Sequence, residues 1–285
     1  MNRLQPELML RTFASSCLVF LLCTVGTASA QIDAASAEQL MRKSGMWMQV
    51  ASLGPQMRSG LAAGAKQGAS AIKPAELQGL LAAADSIFAA EPMRRSALRV
   101  ISRSVDPTYL PALNSWFDSA LGRNLVKLEE AANASNLDPA KVARDGNALL
   151  AAMAPAKRAL LQEMSAVMRA PELVTTIMIN TTLAIQQGIA SVSPGTPGPS
   201  RQELRAMMEA QRPQMLQAFG VLILATFAST YTSISLDQMQ QYLTFLKSPG
   251  GQHYAAVEVL AYEAALVEAA TELGKTVPGA RQGST

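Results

Sequence analysis

Cysteine is nearly absent from this chain of 285 residues: there are two, Cys17 and Cys23, and both stand within residues 1–30. Histidine occurs once, as His253, so neither a multi-histidine metal centre nor a Ser-His-Asp relay with a spare partner can be assembled. Aromatic residues make up only 5%, too few for a stacking groove, and they are not interleaved with basic residues. The 24 basic and 21 acidic side chains leave a net charge of +3, which is no electrostatic footprint for nucleic acid. No glycine-rich phosphate loop and no nucleophile beside a base is present, so no cofactor is called for and no catalytic residue is assigned.

What is there begins with an export segment. Arg3 and Arg11 precede an apolar run over residues 13–25, too short to span a bilayer, and Ala28-Ser29-Ala30 gives small residues before a cut at Gln31. A lipid anchor on Cys17 is the rival reading. It is set aside because Ala14-Ser15-Ser16 precedes that cysteine and most of the apolar run follows it. The mature chain would then carry no thiol in a compartment that permits disulfides, and its core alone must hold it. At its length it buries roughly three quarters of its unfolded surface, which is enough.

Alanine, leucine, methionine and glutamine dominate, a mixture that favours helix over strand. Ser36 with Gln39 is expected to cap a first helix that Gly54-Pro55 kinks or splits. Pro74 opens a stripe of Leu77, Leu80, Leu81, Ala84 and Phe88; Pro92 restarts the chain, and Asp106-Pro107 caps the next element. Prolines 139, 155 and 171 divide residues 137–192 into three helices. Residues 193–199 form a Pro/Gly linker, Ser200 with Glu203 closes a capping box, and Pro213 begins the most apolar helix, over residues 215–227, expected at the buried centre of the bundle. The expectation is an all-α, duplicated helical bundle of roughly ten helices in two related halves. Its divisions are a signal peptide (1–30), a first half (31–192), the linker (193–199), a second half (200–273) and a disordered tail (274–285).

The duplication rests on two stretches at an offset of 129. Asp106, Trp116, Ser119, Gly122 and Glu129 match Ser235, Phe245, Ser248, Gly251 and Glu258. Each serine can cap a second helix by accepting from the glycine three residues on, and each glycine can let the helix start sit against the ring of Trp116 or Phe245. Pro249 presets the first turn in the second copy, where the first copy has Ala120.

Phe245, Ser248, Pro249 and Gly251 give a Phe-x-x-Ser-Pro-x-Gly pattern. Here the chain resembles a family of secreted bacterial α-helical proteins known only as a domain of unknown function, over roughly residues 200–270 and more faintly upstream. The resemblance implies an exported helical protein of the Gram-negative periplasm. It brings no activity and no catalytic residues.

Glu129 and Glu258 are the one pair of carboxylates suited to acid–base work, but the simpler expectation is two solvated helix-face glutamates, each beside a basic neighbour. His253 reads as a partly exposed structural residue at the helix corner. Met46-Trp47-Met48 invites soft-metal binding, but the methionines follow the apolar stripes and read as core fillers. Met215, Phe219, Leu222 and Phe227 are the candidate surface for an apolar ligand or partner. The expectation is a non-enzymatic periplasmic interaction or envelope-maintenance protein that does not span the membrane once its signal is removed. Its partner would be an unknown envelope protein; the alternative is a carrier of a lipid or other apolar small molecule between the halves.

Overall fold

A computed structural model describes residues 31–67, 74–134, 139–192 and 199–277. The expected signal segment, nearly all of the 193–199 linker and residues 278–285 lie outside the described residues. The chain is all-α, and among the described residues there is no strand. Among the described residues there are thirteen α-helices, more than the roughly ten expected. They are α1 (Ala34–Lys43), α2 (Met46–Gln67), α3 (Pro74–Ile87), α4 (Ala90–Ser104), α5 (Leu110–Phe117), α6 (Ala120–Ala134) and α7 (Pro139–Ala152). After these come α8 (Pro155–Val167), α9 (Ala170–Val192), α10 (Arg201–Ala210), α11 (Arg212–Thr230), α12 (Leu236–Lys247) and α13 (Pro249–Gly274). A 3-10 turn, Pro107–Tyr109, leads into α5.

Most helix starts lie where proline or a capping residue stands. Ser200 and Ser235 each form a full capping box, with Glu203 and Gln238 returning the bond. The first helix differs from expectation. Its cap is Asp33, which accepts from the Ser36 N–H at 2.8 Å, so Ser36 lies inside the helix. The break after it is at Ser44-Gly45, where Gly45 takes φ +80°, a backbone conformation that glycine adopts without strain. Gly54-Pro55 ends nothing: α2 runs through both, and a side chain on Gly54 would strike the Phe88 carbonyl across the α2–α3 contact.

The long helix α13 organises the fold. It packs along α9 and α4 and touches α3, α5 and α12, and its buried residues run from Gly250 to Gly274. Gly188 of α9 and Gly274 of α13 let these helices approach until each Cα lies 2.9 Å from where the other's Cβ would be. Gly274, expected as the first residue of the tail, is instead the buried last residue of α13.

Two apolar clusters form the core. One joins α1 to α5 with α13 through Leu40, Met46, Phe88, Ile101 and Val257. The other joins Leu125 of α6 and Leu161 and Met164 of α8 to Met239, Leu243 and Leu246 of α12. Each cluster draws on chain from both sides of residues 193–199.

The helix expected to be the most apolar, α11, is not the buried centre. Only Ala225 and Ala228 of α11 are buried, and Val221 is 50% exposed. It lies on the outside against α7 and α9 because α13, with its regular buried stripe, already fills the middle.

Candidate functional site

The two hairpin corners are built alike. Ser119 Oγ accepts from the Gly122 N–H at 2.9 Å and donates to the Trp116 carbonyl at 2.6 Å. Ser248 Oγ accepts from the Gly251 N–H at 3.1 Å and donates to the Phe245 carbonyl at 2.7 Å. Each hydroxyl thus closes the last turn of one helix and caps the first turn of the next. The glycines serve a different neighbour from the one expected. A Cβ would meet the Trp116 carbonyl oxygen at 2.2 Å and that of Phe245 at 2.0 Å, so the close approach is to backbone and not to a ring. The rings face each other instead: Trp116 and Phe245 stack with centroids 4.4 Å apart and planes 7° apart, which joins the two corners directly. Pro249 stands at the first position of α13 and is exposed.

Glu129 and Glu258 are not the solvated pair expected. Each follows its glycine by two helical turns and so lies on the same face, Gly122-Leu125-Glu129 on α6 and Gly251-Tyr254-Glu258 on α13, which is the face turned inward. As whole residues both are half-buried, but the carboxyl groups are enclosed by protein.

Tyrosine hydroxyls meet them there. Glu129 Oε1 accepts from Tyr231 at 2.7 Å and from Tyr242 at 3.0 Å. The hydroxyls of Tyr254 and Ser44, 2.8 Å from each other, act on Glu258 and favour its ionised form. Tyr262, half-buried, lies in the field of both carboxylates and donates to Gln49 Oε1. Of five tyrosines in the chain, four belong to this cluster. The fifth, Tyr109, packs its ring on His253.

Burial raises the pKa of Glu129, against the pull of the two tyrosine hydroxyls and with a further push from Glu130. Burial first, and the charge of Glu129 second, push Glu258 up to about 8. Tyr231, Tyr242, Tyr254 and Tyr262 are all raised well above the ordinary phenol value, chiefly by burial, so they remain donors.

The other candidates fall elsewhere. His253 Nε2 accepts from the Asp106 N–H at 2.9 Å; since a backbone N–H can only donate, that nitrogen is bare and the residue ties α13 to the start of the first hairpin. Met46 is fully buried and Met48 is 53% exposed, so their sulfurs do not converge. Trp47 lies between the guanidinium groups of Arg42 and Arg94, at 4.0 and 4.5 Å. Among the described residues no group of three or more His, Cys, Asp or Glu could hold a metal ion.

Met215, Phe219, Leu222 and Phe227 are all half-buried on α11. Two surface depressions lie away from them. One, of about 540 Å³, is bordered by Ser86, Met93, Ser96, Glu268 and Lys275; the other, of about 450 Å³, by Met48, Gln49, Lys127 and Glu130. Neither is lined by Glu129 or Glu258.

The sequence reading missed Ser44, Tyr231, Tyr242, Tyr254 and Tyr262. One signal was available: Tyr254 stands four residues before Glu258, on the same helix face, in a chain poor in aromatics. The contacts of Tyr231, Tyr242 and Ser44 come from distant segments and leave no local trace. No protein-family model matches the chain, and neither the curated proteins nor the solved structures offer a match.

Proposed function

We propose that this chain is an exported, non-enzymatic envelope protein that holds an apolar helix of a partner protein on the belt formed by α9, α10 and α11. The observation that carries the reading is α11, whose hydropathy averages 1.2 while only 11% of that stretch is buried. The exposed Val174 and Met178 of α9, Met207 of α10 and Val221 of α11 extend the apolar surface beyond one helix. These three helices touch one another, and apolar side chains left exposed on neighbouring helices support an interaction site.

By length and composition alone, α9 and α11 are both apolar enough to cross a membrane. Docking fits better than spanning, because α9 is fixed along α13 and carries Asn180, hydrogen-bonded to Glu263. The periplasmic location rests on residues 1–30, and kinship with the secreted helical family rests on Phe245, Ser248, Pro249 and Gly251. Descent of the two hairpins from one duplicated unit belongs to the same proposal; the matching bonds of Ser119 and Ser248 and the matching contacts of Gly122 and Gly251 support it.

The carrier reading has less behind it, since the two depressions lie away from α11. An enzymatic reading has the raised pKa values of Glu129 and Glu258 in its favour, but neither depression opens on either carboxyl.

Native mass spectrometry of residues 31–285, purified without detergent, tests the proposal against a Met178→Asp/Val221→Asp variant. Both positions are exposed, so the fold is expected to survive, and circular dichroism checks that it does. A protein-sized added mass in the wild type that is missing from the variant is the expected result. A lipid-sized mass transfers the reading to the carrier, and identical bare chains overturn both.

A further inference from the structure

The depression of about 450 Å³ lies between α2 and α6, and one face of each helix borders it. Met48, Ala51 and Ser52 stand three and four residues apart on α2; Lys127, Glu130 and Ala131 stand likewise on α6. The two helices meet just before α2 begins. There Gly45, at φ +80°, lies so close to α6 that a Cβ would be 3.0 Å from Val126 Cγ1 and 3.5 Å from Glu130 Cγ. The turns that follow on α2 line the depression.

Its charged groups are unengaged. Among the described residues no side chain pairs with Lys127 Nζ, and no cation pairs with the Glu130 carboxyl. Opposite charges three residues apart on a helix attract only weakly in water, so a ligand can come between them at little cost. Gln49 borders the same depression, and its Oε1 is occupied by the Tyr262 hydroxyl. Its amide nitrogen remains, a donor without an acceptor among the described residues. The apolar wall is held in place as well: Met48 Sδ accepts from Arg94 at 3.9 Å, and the same guanidinium donates to the Trp47 carbonyl at 3.0 Å.

Such a lining selects by charge. Lys127 and Glu130 sum to zero, so a ligand with one charge of either sign meets one attraction and one repulsion. An uncharged apolar ligand would cover both groups without bonding either. A ligand that carries both charges close together satisfies both. Side chains at this spacing leave Cβ atoms about 5–6 Å apart, within reach of an ammonium and a carboxylate borne on one carbon.

We propose that the α2–α6 depression binds a free α-amino acid with an apolar side chain. Lys127 and the Gln49 amide hold its carboxylate, Glu130 holds its ammonium, and Met48, Ala51 and Ala131 receive its side chain. The volume is within the range of small-molecule sites. The site is separate from the α9–α11 belt and does not depend on a partner docking there.

Isothermal titration calorimetry of residues 31–285 with L-leucine and L-phenylalanine tests the site. Saturable binding of at least one is expected below about 10 mM. Its N-acetyl derivative lacks the ammonium and its amide lacks the carboxylate. Each should bind at least about tenfold more weakly, the scale of one hydrogen bond to a charged group. Lys127→Met and Glu130→Gln should each weaken the parent amino acid by a similar factor. Lys127 is exposed and Glu130 half-buried, so both variants are expected to fold, and circular dichroism checks that they do. Should a variant fail to fold, the two derivatives on the unsubstituted chain decide. Three results overturn the site: no saturable binding of either amino acid, derivatives that bind as well as the parent, or folded variants that bind as the wild type does.

Discussion

At Gly251 a methyl group would sit 2.0 Å from the Phe245 carbonyl oxygen, and at Gly122 it would sit 2.2 Å from that of Trp116. Backbone cannot yield there as a flexible side chain would, because the same carbonyls accept from Ser248 and Ser119. Gly251→Ala is therefore expected to destabilise by about 2 kcal/mol or more, the scale of overpacking a fitted contact. Gly79, inside α3, has nothing within 4 Å of its missing Cβ. Gly79→Ala should stabilise by about 0.5–1 kcal/mol through the backbone entropy removed from the unfolded chain. Urea unfolding of the two variants checks both signs. A similar loss at the two sites would mean that the corner approach is not what fixes Gly251. At this scale the sequence was informative about backbone and misleading about charge. The serine–glycine spacing predicted both caps, whereas the glutamate two turns later reads as an ordinary surface residue unless the buried face of its helix is already known.

Helix starts were legible because proline, aspartate and serine act locally: Pro74, Pro139, Pro155, Ser200 and Ser235 all begin or cap the expected elements. What was illegible at the scale of the element is which apolar helix occupies the middle. Both α11 and α13 are rich in apolar residues, but α13 presents a small-residue seam (Gly250, Gly251, Ala261, Ala265, Ala269 and Gly274) that admits close neighbours on several sides. The only buried side chains of α11 are Ala225 and Ala228, and Ala225 meets Gly146 of α7 so closely that a Cβ there would lie 2.3 Å from the Ala225 carbonyl. Two substitutions four residues apart should then behave oppositely. Ala225→Leu forces α7 and α11 apart and is expected to cost about 1–3 kcal/mol, while Val221→Asp, on the exposed face, should stay within about 0.5 kcal/mol of the wild type. Thermal denaturation followed by circular dichroism separates them. A large loss at Val221 would show that α11 is buried after all, and would remove the surface on which the partner proposal rests.

The two apolar clusters decide how the whole molecule unfolds. If residues 193–199 divided the chain into independent halves, each half would enclose its own core and melt alone. Instead the first cluster needs α13 against α1 to α5, and the second needs α12 against Leu125, Leu161 and Met164, so neither survives loss of the chain on the far side. Unfolding is therefore expected as one cooperative transition despite the chain's length. Ile101 and Leu161, both fully buried and in different clusters, give the test. Ile101→Ala and Leu161→Ala should each cost about 2–5 kcal/mol, and each should move the same transition whether it is followed by far-ultraviolet circular dichroism or by tryptophan fluorescence. Were Leu161→Ala to split the melt into two steps, with the fluorescence of Trp47 in the first cluster unmoved, the interleaved core would be wrong.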